Sequence, residues 1–246
     1  RTTMDEFHFH SWRVALLPEL DQTSLFGNVD FSGPATVAAN QDVLNTSVPV
    51  FLCPSTPNAN ALVPDIYAFN DGKPPTQNVG TATRSDYEII GGVNYGDGPD
   101  SASIVLDVAY GPWGEPKYDI VTFDVQTVRE ARLRDITDGQ SNTILVAERA
   151  GRPDLYQREA AVKPHPNGMD HFQAAWGVSA SYPWLIPSHE ETVVNASNDK
   201  GIYGFHSGGA YACFADGSVR FLAESSDTAV INALITRAHG DIAKGN

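Results

Sequence analysis

The side chains best equipped for chemistry lie near the end of the chain, in His206-Ser-Gly-Gly-Ala-Tyr-Ala-Cys-Phe-Ala-Asp216-Gly217-Ser-Val-Arg-Phe-Leu. An imidazole and a carboxylate at a fixed short spacing are the parts of a proton relay or a metal-binding pair. The same segment reads as a β-hairpin, however, and a hairpin holds the two groups apart. Asp216-Gly217 supplies the positive φ angles of a two-residue type I′ turn, with Ala215 facing Ser218, Phe214 facing Val219 and Ala212 facing Phe221. Alternation then places Ala212, Phe214, Val219 and Phe221 on one apolar face, and Tyr211, Cys213, Arg220 and Leu222 on the other. With a rise of roughly 3.3 Å per residue, His206 and Asp216 stand about 20 Å apart unless the chain folds back at Gly208-Gly209. The expected roles are structural: Asp216 and Gly217 form the turn, and His206 hydrogen-bonds the local backbone.

Asp135-Ile-Thr-Asp138-Gly-Gln-Ser-Asn142 is the richest oxygen cluster. Calcium is held by carboxylates, amides and carbonyls in a loop that bends at a glycine, and Asp135, Asp138, Asn142 and Gly139 supply those parts without EF-hand spacing. The competing role is a turn in which Asp138 and Ser141 cap backbone amides. A second acidic loop, Asn94 to Asp100, is a weaker cation candidate. His8 and His10 share a strand side, but the chain has no CxxC or HExxH, which argues against zinc. No Gly-x-Ser-x-Gly, phosphate loop or dinucleotide fingerprint is present, so nucleophilic catalysis and nucleotide binding lack support. Trp176, Tyr182 and Trp184 offer faces on which sugar rings stack, against the commoner role of large aromatics in a core. Cys53 and Cys213 either form one bridge or remain two separate buried thiols.

Thirty acidic against 16 basic residues give a formal charge of −14. Such a field repels phosphate backbones and argues against nucleic-acid binding. No apolar run reaches the roughly 18 residues needed to span a membrane.

These side chains must be positioned by a strand-rich scaffold. Trp12 to Leu17 reads as helix stopped near Pro18, Ala38 to Asn45 as a short helix and Val48 to Cys53 as a strand. Residues 58–98 read as a loop-rich insertion containing the strand Tyr87 to Val93. Strands are further expected over Ser103 to Ala109 and Asp119 to Val125. The apolar run Ile144-Leu-Val-Ala147 reads as a strand buried on both faces. A last helix starts at Ser226-Asp227 and carries Val230, Ile231, Leu234 and Ile235 at helical spacing. The pattern is α+β with a largely antiparallel sheet, in a single domain over residues 1–246.

Several blocks resemble a prepilin-type family abundant in planctomycetes, with an H-X9-DG signature and the designations DUF1559 and SBP_bac_10. His206 and Asp216-Gly217 match the signature. His10-Ser-Trp-Arg with Leu16-Leu-Pro18 and Leu20-Asp-Gln22 is similar to its "HSWR-LLPYLEQ" block, and Phe51-Leu-Cys53-Pro-Ser55 to its "F-CPSD" block. Asp135 to Ile144 resembles "DITDGTSNTI", and Ala233 to Asp241 resembles "ALxTRAGGE". The resemblance implies a pilin-like fold and a basic leader with an apolar N-terminal helix upstream of the sequence in hand. It also implies an extracytoplasmic, membrane-anchored protein whose partners are pilin-like subunits or secretion machinery. Pseudopilins, related by fold, carry calcium in a C-terminal loop, which is the second reason to expect calcium at Asp135, Asp138 and Asn142. The expected function is thus a structural or surface-interaction head without catalysis. The alternatives are a displayed module binding extracellular glycans or calcium, and a secreted hydrolase.

Overall fold

The computed structural model describes residues 10–33, 35–57, 62–67, 78–94, 108–110, 115–118, 125–129, 132–157, 160–164, 174–178, 184–187, 192–238 and 240. The chain enters through short helical pieces. Ser11 caps α1 (Trp12–Leu16), its hydroxyl accepting the Arg13 amide. α1 stops just short of Pro18, as expected, but Pro18 does not end the helical path. It sits in the first turn of a 3-10 helix over Leu17–Leu20, where a missing N–H removes no bond. Next come α2 (Thr23–Gly27), a 3-10 turn at Ala38–Asn40 and α3 (Gln41–Leu44), which together fulfil the helix expected over Ala38 to Asn45. The strand expected over Val48 to Cys53 is instead a 3-10 turn, Pro49–Phe51, followed by a loop. Pro49 fixes its own φ and lacks a ladder donor, which favours the turn over a strand.

Twelve strands follow among the described residues. They are β1 (Leu62–Tyr67), β2 (Asn78–Thr83), β3 (Tyr87–Asn94), β4 (Val108–Tyr110), β5 (Glu115–Tyr118) and β6 (Val125–Arg129), then β7 (Ile144–Glu148), β8 (Asp154–Gln157), β9 (Ala160–Pro164), β10 (Trp184–Pro187), β11 (Gly209–Phe214) and β12 (Val219–Ala223). The main sheet runs β10-β3-β7-β11-β12, with β4 also on β3. Its pairs are antiparallel except β10 on β3. The pairs β1-β2, β5-β6 and β8-β9 form separate ribbons. Inside the loop-rich insertion over 58–98, β1 pairs with β2. The last helix, α4 (Thr228–Ile235), begins where the Asp227 carboxylate accepts the Ala229 amide. No helix among the described residues is long and apolar enough to cross a membrane.

The architecture is therefore α+β with a mainly antiparallel sheet, as expected. Ile231 and Ile235 of α4 pack with Ile90, Ile144, Ala147, Ala210, Ala212, Phe214 and Leu222 in the main core. A second core gathers Val14, Leu17, Val43, Val48 and Phe51 around Trp176. Strand β7 was expected to be buried on both faces. Ile144 and Ala147 are buried, but Leu145 and Val146 are only partly covered, and Val146 lines a pocket.

The hairpin is real but its register differs from expectation by one residue. Cys213 pairs with Val219, Ala212 with Arg220, Tyr211 with Phe221 and Ala210 with Leu222. The loop closes through Gly217 N to Phe214 O at 2.9 Å and Phe214 N to Ser218 O at 2.8 Å, leaving three residues in the turn. Only Gly217 has a positive φ, +81°, whereas Asp216 does not. A three-residue turn with one left-handed glycine replaces the expected type I′ turn. A slip of one residue exchanges the faces of a strand. Ala210, Ala212, Phe214 and Leu222 therefore face the core, while Val219 and Phe221 turn outward with Tyr211 and Cys213.

Gly217→Val is expected to destabilise the fold by about 1–2 kcal/mol, the strain of a left-handed residue with a side chain. Nothing lies within 4 Å of a Cβ at this position, so conformational strain is the whole effect. Thermal unfolding followed by circular dichroism checks this. An unchanged melting temperature removes the left-handed turn.

Candidate functional site

Two elements set the position of His206. The chain reverses after it, with Gly209 N donating to His206 O at 3.4 Å and Gly208 at φ +82°. The fold-back at Gly208-Gly209 lays the imidazole edge-on against Tyr211, with ring centroids 5.0 Å apart. The ring does not bond the local backbone as expected. It reaches three side chains that are distant in sequence. Its Nε2 lies 3.1 Å from Glu148 Oε1 and 3.5 Å from Cys53 Sγ, and its Nδ1 lies 3.4 Å from Ser55 Oγ.

Glu148 is delivered by the end of β7 and is buried. Its other oxygen, Oε2, accepts the Tyr211 amide at 2.7 Å, which ties the carboxylate to β11. Cys53 arrives on the loop after the 3-10 turn at Pro49–Phe51. Its amide donates to Asp86 Oδ2 at 2.9 Å, while Asp86 Oδ1 accepts Gly151 N at 3.0 Å. The Asp86 backbone also bonds Phe51 O and Arg149 N, and Arg84 Nε lies 3.6 Å from its carboxylate. Asp86 is wholly buried and pins the loop that presents the thiol. Cys53, Glu148 and His206 thus form a group whose ligand-type atoms all lie within 4.8 Å of one another.

Burial, reinforced by the Glu148 charge, pushes the Cys53 thiol up from its usual range. Burial likewise raises Tyr87, with the nearby Cys53 and Glu148 adding to the shift. A catalytic cysteine needs the opposite, a thiol lowered by a cationic neighbour. The geometry also departs from a nucleophile–base–acid relay, in which the two imidazole nitrogens serve different partners. Here Cys53 and Glu148 meet the same nitrogen.

Glu148 and His206 border a cavity of about 320 Å³ whose walls also include Tyr87, Val146, Tyr211, Cys213 and Val219. This is the outward face that the register of the hairpin turned away from the core. Tyr211, Val219 and Phe221 are 41%, 64% and 43% exposed there, a cluster of apolar surface on one ribbon.

The other expected residues are dispersed. Asp216 sits at the hairpin tip, away from His206, with Oδ1 accepting Ser218 N at 2.9 Å and the Ser218 hydroxyl at 2.6 Å. Those bonds hold its carboxyl below the usual range. Asp135 accepts Arg132 N, and Asp138 is buried with Oδ1 on Gly240 N at 3.2 Å. Asn142 donates its amide to Asp138 O at 3.2 Å. The bridge entertained between Cys53 and Cys213 is not formed: both are free thiols. Cys53 faces His206, whereas Cys213 Sγ lies 3.7 Å from the neighbouring Phe214 carbonyl. Trp176 cannot present a ring to a sugar, because it is fully buried and stacked on Phe51 with centroids 6.0 Å apart. Trp184 opens β10 opposite Ile90, and Tyr182 lies outside the described residues. His10 Nε2 lies 3.3 Å from Gly33 O; His8 and the acidic loop after Asn94 lie outside the described residues.

Glu148, Ser55, Tyr87 and Asp86 were missed by sequence reasoning. One signal existed for Glu148, a lone charge closing the apolar run Ile144 to Ala147. Nothing in the linear spacing links it to Cys53 or His206.

A family model described as SBP_bac_10, a protein of unknown function (DUF1559), matches residues 1–229. No curated protein and no solved structure matches the chain.

Proposed function

Because the chain belongs to the DUF1559 family, whose function is unknown, we propose that it is the displayed head of a pilin- or pseudopilin-like extracytoplasmic subunit, with a structural and surface-interaction role rather than a catalytic one. One observation carries this reading: the outward, uncovered face of the β11-β12 ribbon, where Tyr211, Val219 and Phe221 form an apolar seat. Contiguous apolar surface of this kind marks a contact site. Pilin-like neighbours are the partners that suit it. The thiol pushed upward at Cys53 supports the non-catalytic part of the reading.

The test uses the full-length gene product in its own cells. The subunit is expected in the extracytoplasmic fraction and in sheared surface structures seen by electron microscopy. Val219→Glu is expected to abolish that assembly while leaving the melting temperature of the head within about a degree or two, since exposed substitutions change stability little. A cytoplasmic subunit, or assembly indifferent to Val219→Glu, contradicts the proposal.

A ligand-binding reading has one feature in its favour, the cavity between Tyr87 and Tyr211. Calorimetric titration with plant and algal polysaccharides separates the two readings. Heat of binding that vanishes in Tyr211→Ala replaces the structural role with a binding one.

A further inference from the structure

We propose that Cys53, Glu148 and His206 are the protein ligands of a zinc-type transition-metal site, with its fourth position open to the adjoining cavity. This goes beyond the structural reading and does not depend on it.

The first argument is geometric. Zinc binds thiolate sulfur at about 2.3 Å and imidazole nitrogen or carboxylate oxygen at about 2.0–2.1 Å. Tetrahedral angles then place sulfur and nitrogen about 3.5 Å apart, and nitrogen and oxygen about 3.3 Å apart. The structure has Sγ to Nε2 at 3.5 Å and Nε2 to Oε1 at 3.1 Å. Two edges thus match a metal-sized tetrahedron, and all three ligand atoms lie within 4.8 Å of one another.

Hydrogen-bond arithmetic supplies the second. A ring nitrogen either donates one proton or accepts one. Nε2 has both Sγ and Oε1 against it, so a proton there serves only one of the two contacts well. A metal ion satisfies all three donors at once. The ligand set, as thiolate, carboxylate and neutral imidazole, carries two negative charges that a divalent ion cancels in a buried setting.

The surrounding bonds have the form of an outer shell. Nδ1 faces Ser55 Oγ at 3.4 Å, an oxygen able to accept its proton when Nε2 ligates a metal. Glu148 Oε2 is anchored by the Tyr211 amide, leaving Oε1 to turn inward. Thiolate and imidazole also select zinc or cobalt over calcium, which prefers oxygen throughout. Loading expels the Cys53 thiol proton to solvent, so apparent affinity rises with pH.

The experiment is titration of chelator-stripped protein with cobalt(II), followed by displacement with zinc. One equivalent of cobalt is expected to produce a thiolate-to-cobalt charge-transfer band and the intense visible bands of a four-coordinate site, both removed by zinc. Cys53→Ser is expected to abolish the charge-transfer band, and His206→Gln to weaken cobalt binding by at least about tenfold. Cys213→Ser and Asp216→Asn are expected to leave spectrum and affinity unchanged. Zinc is expected to raise the melting temperature of the natural protein but not of Cys53→Ser, and calcium to leave both unchanged. This second readout applies even where a variant loses some metal-free stability. A wild-type spectrum without the charge-transfer band overturns the proposal, as does a band that survives Cys53→Ser and disappears in Cys213→Ser.

Discussion

Replacing Asp86 with alanine is expected to lower the free energy of unfolding by about 3–5 kcal/mol, the range for removing one partner of a buried ion pair. The carboxylate is wholly buried, and it accepts the amides of Cys53 and Gly151 while facing Arg84. Without it, two buried amides lose their acceptor and the Arg84 guanidinium loses its counter-charge together. Denaturant unfolding with an unchanged slope measures the effect. A loss of less than about 1 kcal/mol, the scale of a surface pair, contradicts the role given to Asp86. Asp86→Asn preserves shape but supplies only one acceptor oxygen, and it is expected to fall between the two.

Trp176→Ala is expected to be of similar size, about 3–5 kcal/mol, as for other large aromatics removed from a core. Its ring is fully buried and stacks on Phe51, within the cluster that holds Val14, Leu17, Val43 and Val48. The same unfolding experiment reads it, and a change below about 1 kcal/mol would place the ring at the surface after all. Asp86 and Trp176 act on one object from two sides. Asp86 holds the Cys53 amide, and Trp176 holds Phe51 two residues earlier, so between them they fix the loop that brings the thiol to His206.

The elements with strong local signals were legible in the sequence. Asp227 and the spacing of Ile231 and Ile235 located the last helix, and Asp216-Gly217 located the hairpin. The family, too, was legible from its blocks, and its model covers residues 1–229. Register was not. Asp216-Gly217 fits a two-residue turn as well as a three-residue one with a left-handed glycine, and the difference of one residue moved Val219 and Phe221 from core to surface. Pro49 hid a 3-10 turn inside an apolar run that read as strand.

The site was half legible for a different reason. His206 and Cys53 stood out by type, but their partners did not: His206 was expected to bond the local backbone, and Cys53 either to bridge Cys213 or to stay a separate thiol. Their true neighbour, Glu148, is brought in by the antiparallel pairing of β7 with β11, a contact between segments far apart in the chain. No spacing rule encodes such a meeting. The motif that joins His206 to Asp216 is one of architecture: the aspartate closes one end of the hairpin, and the histidine fastens the other end to β7 and to the Cys53 loop.

The claim that this fastening point is also a metal centre is tested most directly by X-ray absorption at the zinc edge of the zinc-loaded protein. The account predicts one sulfur neighbour at about 2.3 Å together with nitrogen and oxygen neighbours at about 2.0–2.1 Å, and loss of the sulfur shell in Cys53→Ser. A first shell made only of oxygen and nitrogen, unchanged by that substitution, contradicts it.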